Sequence, residues 1–203
     1  MNSRSSLPIR LVLASSSPYR KELLAKLGIP FEAASPGIDE SAQSGETPAQ
    51  LSKRLAEEKA MALRQRFPAH LIIGSDQVAT LEGVQLGKPG NHARTVAQLR
   101  AASGKSVEFL TSVCVLDSAT GAAVSATDRT VVHFRPLTDE KIKQYVDKER
   151  PYDCAGGFKS ESLGIALIAR LETGDPNALV GLPLIRLIGL LEKFGLEIPG
   201  DCD

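Results

Sequence analysis

The sequence predicts a mixed α/β fold: one elongated, curved sheet flanked by helices, in a single domain over residues 1–203 with two lobes about a cleft. Three observations carry this. Short apolar runs of strand length, such as Leu11 to Ala14 and Leu71 to Ile73, alternate with segments of helical spacing. Two long strand-like stretches, Ser106 to Leu116 and Ala122 to Phe134, flank a turn at Asp117 to Gly121 and read as an antiparallel hairpin. No Gly/Ser/Pro-rich linker divides the halves.

The first strand, Leu11 to Ala14, runs into Ser15-Ser-Ser17 and Pro18. Ser17 is a good N-cap, and Pro18 at the first helical position loses no hydrogen bond. Leu23, Leu24 and Leu27 form the buried stripe of the helix, and Gly28 ends it. A helix N-terminus aimed into a hydroxyl-rich turn suits a phosphate, although an ordinary strand–helix junction has the same sequence. Arg20 falls on the apolar side, where a guanidinium needs an anion.

A strand follows at Phe31 to Ala34, then a loop carrying Asp39-Glu40. Adjacent loop acids are either solvated surface or the carboxylates of a hard-metal site. Thr47-Pro-Ala-Gln50 is a capping box, opening a helix that should run to about Phe67. Leu51, Leu55 and Leu63 mark its buried row, and Lys59 is the missing member. Such a lysine either snorkels to water or reaches into a cleft.

Leu71 to Ile73 reads as a buried strand, interrupted by Gly74 and Ser75, with Asp76 just beyond it. Chemistry in open α/β sheets collects at the carboxyl ends of strands. Val78 to Leu81 reads as a separate strand turning at Glu82-Gly83, and Gly87-Lys-Pro89 holds Lys88 in a stiff loop. Helices are predicted at Asn91 to Ala102, from Thr138 onward, and at Pro183 to Phe194. The loop Tyr152 to Glu161 carries two glycines, and Leu163 to Leu171 is strand-like.

Lys plus Arg balances Asp plus Glu at 24 each, so no global charge pulls the chain toward nucleic acid or a membrane surface. Met1 to Arg10 lacks the apolar core of a secretory signal, and no stretch is long enough to span a bilayer. Cys114, Cys154 and Cys202 are far apart with no CxxC, which fits a reducing, cytoplasmic setting. His70, His92 and His133 are scattered and lack the spacing of a metal motif.

Six segments together resemble the Maf family of nucleoside triphosphate pyrophosphatases. They are Ala14-Ser-Ser-Ser-Pro-Tyr-Arg20, Ala56-Glu-Glu-Lys-Ala60, Gly74-Ser-Asp-Gln77, Gly87-Lys-Pro89, Ala155-Gly-Gly-Phe158 and Val180-Gly-Leu-Pro183. The resemblance implies cleavage between the α- and β-phosphates of a nucleotide, a divalent metal such as Mg²⁺ or Mn²⁺, a deep cleft and a homodimer. It implies Asp76 as proton acceptor, Ser15, Arg20, Lys59 and Lys88 as phosphate-binding residues, and metal contacts from Asp76 and one acid of the Asp39-Glu40 loop, Glu40 before Asp39. The familiar form of the family has a second arginine where this chain has Tyr19, Thr where it has Gln77, and Gln where it has Glu161. These three departures resemble the subfamily acting on 7-methyl-GTP. The alternatives are the dTTP and UTP activity of the familiar form, or a regulator that binds nucleotide without turnover.

The chemistry of those three residues agrees with a methylated purine. N7 methylation makes guanine cationic, and a cation prefers the aromatic face of Tyr19 to a second arginine. Glu161 can accept from the guanine N–H donors, and Gln77 adds one donor and one acceptor.

Overall fold

A computed structural model of the chain describes residues 9–199, so Cys202 and nearly all of the Met1 to Arg10 stretch lie outside the described residues. Seven strands among them form one sheet: β1 (Leu11–Ala14), β2 (Phe31–Ala34), β3 (Leu71–Leu81), β4 (Val84–Leu86), β5 (Ser106–Asp117), β6 (Ala123–Phe134) and β7 (Ile168–Glu172). Their order is β2-β1-β3-β5-β6-β7, with β4 hydrogen-bonded to β3. β1 is parallel to β2 and β3, and the other pairings are antiparallel, so the sheet is mixed. Five α-helices among the described residues flank it: α1 (Pro18–Ala25), α2 (Pro48–Ala62), α3 (His92–Ala102), α4 (Asp139–Glu149) and α5 (Leu184–Glu192).

The helix starts form as their local chemistry dictates. Ser17 accepts from the Arg20 amide, and Thr47 and Gln50 make a reciprocal capping box. Thr138 caps α4 and Asn91 caps α3 through the same N3 contact.

The two-residue period of the strands sorts side chains between the faces. Leu11, Leu13 and Ile73 pack with Leu24, Leu187 and Leu191 under α1 and α5. Val12, Ala14 and Ile72 pack on the other face, against Ala56 and Ala60 of α2. A second core gathers Phe109, Phe134, Phe158, Leu99 and Ile142 beneath α3 and α4. The long strands pass from one core to the other: β3 contributes Ile73 to the first and Ala79 to the second, β5 Val113 and Phe109. The two lobes therefore share one sheet.

Three local expectations are corrected. Gly74 and Ser75 do not interrupt a strand; β3 runs unbroken from Leu71 to Leu81, paired along its length with β5. Gly74 is there because α2 packs directly on the sheet: a Cβ would lie 2.0 Å from the Ala56 carbonyl oxygen. α2 ends at Ala62 rather than near Phe67, because the Leu63 and Arg64 amides bond back three residues, to Ala60 and Met61, and the chain leaves through turns before Pro68. Leu163–Leu167 is a 3-10 turn, with β7 starting only at Ile168. Gly164 allows that turn, because a side chain there would meet the Lys159 backbone oxygen at 2.1 Å.

This topology opens the site. β1 pairs with β3 only as far as Ile73, and β4 pairs with β3 only from Ala79. Between those contacts Asp76, Gln77 and Val78 face a cleft of about 620 Å³.

Candidate active site

The cleft is lined by all nine residues that the sequence singles out: Ser15, Tyr19, Arg20, Glu40, Lys59, Asp76, Gln77, Lys88 and Glu161. β1 delivers Ser15 and the start of α1, α2 delivers Lys59, and β3 delivers Asp76 and Gln77 from its middle. Sequence reasoning puts Asp76 beyond a strand's carboxyl end. The structure makes it the end of β1 that matters, because β3 continues past Asp76 while β1 stops at Ala14.

Lys59 is the joint of the polar centre. Its ammonium donates to Asp76 Oδ1 at 2.6 Å and contacts Glu40 Oε1 at 2.7 Å. It is 4% exposed, so it reaches into the cleft rather than snorkelling to water. Of the two loop acids, Glu40 lines the cleft, whereas the exposed Asp39 accepts from the Ser41 amide.

Burial pushes the Asp76 carboxyl above its ordinary pKa, and Glu40 adds to this, while Lys59 and Arg20 pull against it. Burial acts on Glu40 in the same direction, but the Lys59 hydrogen bond, with Lys88 and Arg20 nearby, outweighs it and holds Glu40 below its ordinary value. Burial lowers the Arg20 pKa, and Asp76 and Glu40 oppose that. Arg20, Lys59, Glu40, Asp76 and Lys88 therefore form one electrostatic unit. Ser15 is buried and accepts from the Ser17 amide at 3.1 Å, which shapes the turn before α1.

Tyr19 belongs to a second group of cleft residues. Its hydroxyl donates to Asp153 at 3.5 Å, and Lys159 Nζ stands 5.6 Å from the ring centre. The ring thus already attracts a cation. Glu161 is exposed on the cleft wall. Gln77 reaches the cleft, but its amide N–H groups are committed elsewhere, to Thr111 Oγ1 and the carbonyls of Ala178 and Leu179, each at 3.0 Å. A donor from Gln77 to a base, expected from the sequence, would have to break one of these bonds.

Sequence reasoning missed Ser75, Asp153 and the Gly181 carbonyl. Gly181 lay in the Val180-Gly-Leu-Pro183 segment, but nothing in the sequence says that its carbonyl oxygen receives Arg20 Nε at 2.8 Å.

Among the described residues no group of three or more His, Cys, Asp or Glu side chains is placed to hold a metal by itself. Glu40 and Asp76 offer two carboxylates on a shared cation, Lys59.

The family model described as Maf-like protein matches residues 10–194. A Pseudomonas aeruginosa protein named 7-methyl-GTP pyrophosphatase is 54% identical over 189 residues, 93% of this chain and 98% of its own length. Proteins with the same name from Albidiferax ferrireducens and Nitrosococcus oceani are each 53% identical, over 94% and 98% of this chain and 96% and 100% of theirs. With a match over nearly all of the described chain and relatives above half identity at full length, this protein belongs to the Maf family.

Proposed function

We propose that the protein is a nucleoside triphosphate pyrophosphatase that cleaves the α–β phosphoanhydride bond of 7-methyl-GTP, yielding 7-methyl-GMP and pyrophosphate. The observation that carries this is the convergence of the buried Asp76 with Lys59, Arg20 and Lys88 in one cleft that also holds Tyr19 and Glu161. The relatives' names point the same way for the base.

In this reading a water oxygen forms a new bond to the α-phosphorus while the bond to the bridging oxygen breaks, its electron pair leaving with pyrophosphate. Asp76 orients that water and takes its proton. Burial raises the basicity of Asp76 above that of a free carboxylate, and the Lys59 charge opposes that shift. Arg20, Lys88 and the N-terminus of α1 hold the phosphates and offset the charge that builds on them.

Glu40 and Asp76 fit a hard divalent cation, Mg²⁺ or Mn²⁺, because such ions bind through one or two carboxylates and complete their shell with substrate phosphates and water. When bound, that ion supplies charge neutralisation on the phosphate oxygens. Tyr19 would offer its face to the cationic base, and Glu161 would accept from the guanine edge.

Cytoplasmic residence and a homodimer complete the proposal. The free thiols Cys114 and Cys154 suit a reducing compartment. Among the described residues no helix is long and apolar enough to cross a membrane. The balanced charge gives no reason to include nucleic acid as a partner.

The test is pyrophosphate release from 7-methyl-GTP, GTP, UTP and dTTP, with and without excess chelator. The expected result is fastest turnover of 7-methyl-GTP, abolished by chelation. Preference for UTP or dTTP would replace the substrate, and binding without turnover of any of the four would leave a nucleotide-binding module.

A further inference from the structure

We propose that Ser75 and Gln77, on either side of Asp76, are positioning residues: they fix the backbone turn at residues 178–181, and its Gly181 carbonyl aims Arg20 at the substrate phosphates. The assignment of phosphates to Arg20 rests on the functional reading above; the tethering itself rests on geometry.

Successive side chains on a strand point to opposite faces. Asp76 therefore meets Lys59 of α2 on one face of β3, while Ser75 and Gln77 project from the other toward the segment before α5. Ser75, fully buried, donates to the Gly181 carbonyl at 3.0 Å. Gln77 donates to the carbonyls of Ala178 and Leu179, and Thr111 of the neighbouring strand β5 donates to Ala178 at 2.9 Å. Three consecutive side chains of β3 thus divide the work. The middle one carries the carboxylate, and its neighbours grip the opposite wall of the cleft.

The Gly181 carbonyl receives two donors, Ser75 Oγ and Arg20 Nε. The second bond ties the guanidinium at its inner nitrogen, so the terminal N–H groups stay available for a phosphate. Gly181 has φ of 127°, backbone that a side-chain-bearing residue rarely adopts, so the carbonyl's direction depends on glycine and on its tethers. A long arginine side chain loses considerable rotamer freedom when it grips a ligand; a carbonyl that orients it beforehand lowers that cost. Leu179, Val180 and Gly181 also line the cleft, so Gln77 can shape it without touching a base.

The experiment measures binding of inorganic tripolyphosphate to the full chain by titration calorimetry with Mg²⁺ present, for wild type, Ser75→Ala, Gln77→Met, Arg20→Ala and the two double variants with Arg20→Ala. We expect Ser75→Ala and Gln77→Met each to weaken binding about five- to tenfold, the worth of roughly one buried hydrogen bond. In the Arg20→Ala background each should cost less than about twofold, because the residue they act through is gone. Ser118→Ala, which deletes another buried hydroxyl, one that donates to the Phe67 carbonyl, should leave binding unchanged.

Equal losses with and without Arg20, no loss at all, or no tripolyphosphate binding by the wild type would overturn the proposal. Should Ser75→Ala not fold, the Gln77→Met cycle decides alone. Gln77→Met that weakens 7-methyl-GTP but leaves tripolyphosphate untouched would make Gln77 a direct reader of the base and overturn its positioning role. Coupling to Arg20 in a protein that turns over no nucleotide would uphold the tether and reject the pyrophosphatase reading instead.

Discussion

Lys59 of α2 donates a 2.6 Å hydrogen bond to Asp76 of β3, and both side chains are nearly closed off from solvent. The pair joins the helix to the sheet at the point where β1 stops. It also offsets a cost of burial, which pushes the Asp76 carboxyl above its ordinary pKa while the Lys59 charge and hydrogen bond pull it back.

Asp76→Asn keeps the shape and removes the base. Turnover of 7-methyl-GTP should fall at least about a hundredfold, with nucleotide binding retained. Steady-state kinetics beside calorimetric binding checks this; near-normal kcat in a folded variant would remove Asp76 from the chemistry.

Lys59→Met should destabilise the protein by about 3–5 kcal/mol, because it strands a buried carboxylate, whereas the half-exposed Glu40 can turn to water. Lys59→Met combined with Asp76→Asn should recover most of that loss, since no buried charge is then left alone. Urea unfolding of the three variants is the measurement, and a double variant as unstable as Lys59→Met would mean the lysine stem, rather than the ion pair, supports the fold.

Glu161→Gln should weaken kcat/KM for 7-methyl-GTP by roughly 1.5–3 kcal/mol, the worth of a charged hydrogen bond. Tyr19→Ala should cost about 0.5–2 kcal/mol through the lost aromatic face, which in the free protein attracts Lys159. UTP turnover by the same variants should change little. Equal losses on both nucleotides would assign these residues to the fold or the phosphates.

The acid sensitivity of the fold should include Glu46. Arg54 grips both its carboxylate oxygens, at 2.6 and 2.8 Å, and the Gln43 amide adds a third bond. These hold its pKa at about 2 against an ordinary 4.5. A depressed carboxylate pKa stabilises the folded state above the unfolded value, and that contribution is lost as pH falls from 4.5 toward about 2. Glu46→Gln should therefore lower the unfolding midpoint at pH 7, with the gap to wild type closing as pH drops through that window. A gap that stays constant with pH would show that the charge contributes nothing.

The sequence by itself determined the helix starts, the hairpin of β5 and β6, and the family. Ser17-Pro18 and Thr47-Pro-Ala-Gln50 are self-contained signals, since a cap satisfies backbone groups only three residues away. The nine residues that line the cleft were also legible: seven lie in the motif segments, and Glu40 and Glu161 follow from the family pattern beside them. Where local signals misled, a distant partner was the cause. Gly74 looks like a strand breaker, yet it lies inside β3 because the Ala56 carbonyl of α2 leaves no room for a side chain.

Only the tertiary structure decided what those residues touch. Lys59 sits on its helix row whether it snorkels or turns inward, and the choice falls to Asp76 and Glu40, which come from a strand and a loop. Gln77 reads from sequence as a base reader, but its amide N–H groups donate to the carbonyls of Ala178 and Leu179, about a hundred residues away along the chain. The Gly181 carbonyl that receives Arg20 has no side chain to signal it. The physical reason is common to all three: a hydrogen bond or ion pair depends on separation in space, and a sequence orders residues only along the chain.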